Sequence, residues 1–103
     1  MTVDVAAAGV ASGLDHIGIV VRDLPRAAAA WAACGFAPSG PGGRRIMLRR
    51  GYIELLADDP AQPSATLARL LAQGEGAHVL TLRLASAEAA AARLRNAGLP
   101  SQL

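Results

Sequence analysis

The sequence predicts an α+β fold, a βαβββ unit followed by a second, truncated βα unit. Three observations carry this. A strand rich in Ile and Val, LDHIGIVV at residues 14–21, leads directly into an Ala-rich helix with a capping residue at each end. Two short strand-like runs, RRIMLRR and YIELLA, then meet at a tight turn around Arg50-Gly51. Finally, the strand–cap–helix–Gly pattern recurs, with Gly35 and Gly98 in matching places 63 residues apart.

In the first strand Ile17, Ile19 and Val21 share one face, a uniformly branched surface suited to packing on a helix. Leu14, His16, Gly18 and Val20 share the other, and its mixed chemistry suits a site wall. Asp23 sits at an N-cap, Leu24-Pro25 opens the helix, and Gly35 closes it just after Cys34. Leu24, Ala28, Trp31 and Ala32 form the helix's apolar stripe, so Trp31 is expected in the core. Cys34, the single cysteine, excludes an internal disulfide and reads as a small buried hydrophobe near the helix end.

APSGPGG is a loop with room for a short strand at its start. Ser64 caps a short amphipathic helix, TLARLLAQ, which Gly74 stops. HVLTLRL follows as a strand. Ser86 then caps AEAAAARLRNA, Gly98 ends it and Pro100 blocks continuation. The repeat offset lays Ile17, Ile19 and Val21 on Leu80, Leu82 and Leu84, and His16 on Val79.

Composition narrows the function. The chain has 103 residues, 52% of them hydrophobic, but only three are aromatic, so Ala, Leu, Val and Ile must build the core. No apolar run approaches the roughly 20 residues needed to span a bilayer. Residues 1–13 lack a basic signal-peptide start and read as a disordered tail before a domain over 14–103. A cytoplasmic location is the expectation, with no membrane partner. All ten basic residues are Arg, and four fall within residues 44–50. No aromatic platform stands beside them, so nucleic acid is not an expected partner.

LDHIGIVVRDLPRAAAAWAACGF, GYIELLADDP and GEGAHVLTLRLASAEAAAARLRNAGL together resemble the glyoxalase-like domains of the vicinal-oxygen-chelate superfamily. The resemblance implies two βαβββ units around a cupped sheet. It also implies a divalent metal (Zn, Ni, Mn or Fe(II)) held by first and last strands and a small substrate bound through adjacent oxygens. By that resemblance His16 matches the first-strand ligand, and Glu54 the carboxylate of the unit's last strand. Parity agrees for Glu54, which shares its face with Tyr52 and Leu56 while Ile53 and Leu55 face the apolar side.

His78 is the third candidate ligand, although its parity puts it with Leu80, Leu82 and Leu84 unless a bulge shifts the strand. Glu54 is also the candidate catalytic base. Tyr52, Arg49 and Arg83 are candidate substrate-binding residues. Arg45, Met47 and Arg49 alternate on one strand, and arginines lining a cup favour an anionic ligand.

Two functions follow as expectations: a metal-dependent isomerase, lyase or dioxygenase, or a non-catalytic small-molecule-binding module on the same scaffold. Leu14, Val20, Leu56 and Val79 are expected to be left wet, which favours a homodimer.

Overall fold

The computed structural model describes residues 11–100. Five strands and three helices follow one another as β1 (Ala11–Val20), α1 (Leu24–Ala33), β2 (Pro38–Ser39), β3 (Arg45–Met47), β4 (Tyr52–Leu56), α2 (Ala65–Ala72), β5 (Gly76–Leu84) and α3 (Ala87–Asn96). This is the mixed α+β architecture that the sequence predicts, with the order it predicts. β1 begins at Ala11, before the expected Leu14; the remainder of the expected tail, residues 1–10, lies outside the described residues.

The strands form one sheet in the order β2-β3-β4-β1-β5. β2–β3 and β3–β4 are antiparallel, as tight connections require, whereas β1 and β4 run parallel. The parallel register pairs His16 with Tyr52 and Gly18 with Glu54. Side chains that share a register row in a parallel pair share a face, so this pairing puts the first strand's polar side beside Tyr52 and Glu54.

The described residues divide into two compact bodies, Asp15–Thr81 and a smaller one comprising residues 11–14 and 82–100. In the larger body Val21, Ile46 and Leu55 form a buried cluster. Ile19, Leu24, Ala27, Ala28, Trp31 and Ile53 pack around it. Trp31 is therefore a packing residue, half-buried rather than enclosed, with Phe36 edge-on to its ring at 5.1 Å. Among the described residues of the smaller body, the buried side chains are Ala90 and Ala91 of α3.

Both ends of α1 and α3 obey the same local code. Asp23 accepts a hydrogen bond from the Arg26 N–H at 3.0 Å, and Ser86 Oγ from the Ala89 N–H at 3.1 Å. Past the other end Gly35 and Gly98 take φ values of +96° and +83°, a region costly for residues with a Cβ. The next N–H then reaches back to the last turn, Phe36 to the Trp31 carbonyl and Leu99 to the Leu94 carbonyl.

Three expectations need correction. β3 stops at Met47, because Leu48–Gly51 turn, closed by the Leu48 N–H donating to the Gly51 carbonyl at 3.1 Å. Cys34 is exposed, since it caps α1 beyond the stripe that meets the core. Val20 is fully buried beside its register partner Leu56, not wet, while Leu80 on the opposite side of β5 is 64% exposed.

Candidate functional site

His16, Tyr52, Glu54 and Thr81 come together from three neighbouring strands, β1, β4 and β5. The imidazole of His16 lies flat on the Tyr52 ring, with centroids 4.5 Å apart and planes 10° from parallel. The His16–Tyr52 register pair dictates this contact, because both rings rise from the same row. One row on, Gly18 carries no side chain next to Glu54. A Cβ there would stand 2.8 Å from Leu56 Cδ1 and 2.9 Å from Val79 Cβ, so only glycine fits.

The two ring nitrogens of His16 have different partners. Nδ1 lies 2.8 Å from Asp15 Oδ2. A carboxylate only accepts, so Nδ1 carries its proton toward Asp15. That assignment leaves Nε2 aimed at the site, 3.2 Å from Thr81 Oγ1 and 3.5 Å from Glu54 Oε2. In the neutral ring Nε2 accepts from the Thr81 hydroxyl. In the protonated ring Nε2–H faces the Glu54 carboxylate. The His16 and Glu54 side chains are 16% and 19% exposed, partly shielded yet open to a solute.

Arg45 edges the same face. Its register partner across β3–β4 is Glu54, and its guanidinium carbon sits 5.8 Å from the Tyr52 ring centroid.

Tyr52 thus joins His16 and Glu54, but other expected residues stand elsewhere. His78 is exposed, and its Nε2 lies 2.8 Å from the Gly74 carbonyl. Strand alternation keeps it off the row that Val79 and Thr81 occupy. Arg49 is exposed in the Leu48–Gly51 turn, because β3 ends before reaching it. Arg83 is exposed on the part of β5 that belongs to the smaller body, where its carbonyl accepts from Ser12 Oγ at 3.5 Å. Sequence reasoning missed Thr81 and Asp15. Thr81 was findable: it alternates with Val79, the repeat partner of His16, and so belongs to the polar row. Asp15 was not, because strand parity alone sends neighbours to opposite faces.

The donor set can be tested against a divalent metal. His16 Nε2 and Glu54 Oε2 converge, and a neutral imidazole with a carboxylate suits Zn, Ni, Mn or Fe(II). Among the described residues, however, no group of three or more His, Cys, Asp or Glu side chains could hold an ion. Asp15 sits on the far nitrogen of His16, and the repeat partner of His16 is the apolar Val79, packed against Gly18. A catalytic metal wants about three protein ligands, so these residues do not by themselves fit one.

Residues 14–102 match the glyoxalase-like domain family, and the chain belongs to it. No curated protein matches the sequence. Among solved structures, one from Mycobacterium tuberculosis, methylmalonyl-CoA epimerase, superposes with a TM-score of 0.69 at 25% identity, covering 95% of this chain and 69% of that one. A variant of Streptomyces coelicolor methylmalonyl-CoA epimerase in complex with 2-nitronate-propionyl-CoA gives 0.70 at 24%, covering 87% and 72%. A second variant of that enzyme gives 0.66 at 26%, covering 87% and 74%. These likenesses establish the vicinal-oxygen-chelate fold. Among the described residues no helix is long and apolar enough to cross a membrane.

Proposed function

We propose that the sheet face around His16 and Glu54 binds a small oxygenated acyl compound and moves a proton at the carbon beside its carbonyl, an isomerase-type reaction. One observation carries this reading: a histidine nitrogen and a carboxylate oxygen converge at 3.5 Å on a partly shielded face, with Asp15 fixing the ring from behind. A carbonyl resting over the pair takes a hydrogen bond from Nε2–H of the protonated ring. Glu54 accepts the proton of the adjacent carbon as that C–H bond breaks. The electron pair moves to the carbonyl oxygen, where His16 balances the charge, and Glu54 returns a proton to the same carbon; inversion follows when the enolate turns its other face to Glu54 before the proton returns. Thr81 holds Nε2 in place. The fold likeness to methylmalonyl-CoA epimerase, one structure of which holds methylmalonyl-CoA, supports an acyl thioester as the first compound to try.

The test is α-proton exchange of methylmalonyl-CoA in D₂O, followed by NMR. Wild type exchanges the proton, and Glu54→Gln slows exchange by about 10²–10⁴-fold. Binding without exchange overturns the catalytic reading and leaves a non-catalytic binding module. A second reading rests on the same convergence: His16 and Glu54 take a metal whose remaining ligands come from a second copy in a homodimer. Titration with Ni²⁺ or Zn²⁺, with light scattering alongside, separates the two. Stoichiometric binding that promotes dimerisation and is lost in His16→Ala supports the metal reading.

A further inference from the structure

We infer that Arg45 is the specificity-determining residue of this face, selecting ligands that carry a carboxylate. The inference rests on the reading above that a small molecule binds beside His16 and Glu54.

β3 is a three-residue strand held on both sides, with Arg45 opposite Ser39 on β2 and opposite Glu54 on β4. Ser39 Oγ also donates to the Arg45 carbonyl at 3.3 Å. The backbone of Arg45 is therefore fixed although its side chain is exposed. The side chain has a carboxylate directly across the ladder, and opposite charges facing each other across strands normally pair. Here they do not. Glu54 pairs with His16 instead, and among the described residues Arg45 makes no ion pair.

Instead the guanidinium leans over Tyr52, whose other neighbour is the His16 ring 4.5 Å away. Arg45, Tyr52 and His16 make a short column along one face. The guanidinium keeps its fork of N–H donors unspent at the rim, and Glu54 stays with His16. A planar fork with free donors matches a carboxylate in two parallel hydrogen bonds. A ligand whose carbonyl reaches His16 and Glu54 can place a second oxygen pair at Arg45, across the width of the Tyr52 ring. Its chemical class is a short acyl compound with a carboxylate at the far end. Arg45 also explains how an acidic ligand tolerates the Glu54 carboxylate next to it.

The experiment is a titration of the ¹⁵N-labelled full chain with malonate and with its neutral isostere malonamide, at matched ionic strength, for wild type, Arg45→Gln and Arg45→Lys. The expected result is malonate-induced shifts at Arg45, Tyr52 and His16 amides, with malonamide binding weaker. Arg45→Gln weakens malonate by about ten- to a hundredfold and leaves malonamide unchanged, and Arg45→Lys recovers part of the loss. An unchanged melting temperature separates this from a folding defect. Equal binding of both compounds, or malonate binding insensitive to Arg45→Gln, overturns the assignment while the binding face stands. Absence of shifts around His16 with either compound overturns both the assignment and the reading beneath it.

Discussion

The two βα repeats share a local code and differ in what they bury. Each has an oxygen-bearing N-cap, Asp23 or Ser86, a ten-residue helix, and a glycine at positive φ just beyond it. In the first repeat the strand's odd side and the helix close on Ile46 and Leu55, which β3 and β4 deliver and which are each 1% exposed. In the second, Leu80, Leu82 and Leu84 occupy the matching positions and are 64%, 39% and 41% exposed. Caps and periodicity are decided within a few residues. Burial is decided by strands that return from elsewhere, and no sequence repeat carries that information.

The sharpest way to break the comparison is truncation at corresponding depth. Leu55→Ala removes a fully enclosed side chain and is expected to destabilise by about 2–5 kcal/mol, read from urea unfolding. Leu80→Ala removes an exposed one and should stay within about 0.5 kcal/mol. A large loss from Leu80→Ala would show that the second repeat is packed in solution, and a concentration dependence would identify a second copy of the chain as what packs on it.

Gly18→Ala comes next. The added methyl meets Leu56 and Val79 at less than 3 Å, from strands on either side of β1. Overpacking of this kind costs about 1–3 kcal/mol by thermal or chemical unfolding. A neutral result would mean that β1 and β5 separate easily at Val79.

The smallest expected effects are at the caps. Asp23→Ala and Ser86→Ala each lose one hydrogen bond to a helix N–H, about 0.5–2 kcal/mol. If both lower the midpoint of a single unfolding transition, the repeats unfold together. If Ser86→Ala only raises amide exchange in α3, the second helix opens independently.

How much of this was legible follows the same division. The helix ends were readable because Asp23, Ser64, Ser86, Gly35 and Gly98 act on their own neighbours. The His16–Glu54 meeting was readable from parity together with the family resemblance. Parity names the face of a strand, and the resemblance supplied the pairing of first and last strands that brings those faces together. The end of β3 was not readable, since RRIMLRR is strand-like to its last residue and only the four-residue turn shows where pairing stops. Arg49 was therefore placed on a strand it does not join. His78 and Thr81 show the cost of choosing by residue type: the histidine drew attention, but the row at the site is the one with Val79 and Thr81. Asp15 escaped because a carboxylate can bend around its own backbone to the adjacent ring, which alternation does not describe.

The parallel pairing of β1 with β4 has a consequence for how a ligand would be felt. His16 and Tyr52 sit side by side only after the whole α1–β2–β3 excursion has been laid down between them. The contact face is thus made of positions distant along the chain and exists only in the assembled sheet. A solute touching His16, Glu54 and Thr81 together binds the native state and has nothing equivalent to bind in the unfolded chain. By mass action its free energy adds to the stability of the larger body as a whole, about 2.7 kcal/mol at a hundred times the dissociation constant. Thermal shift across a library of small acyl acids therefore reads occupancy of this face directly.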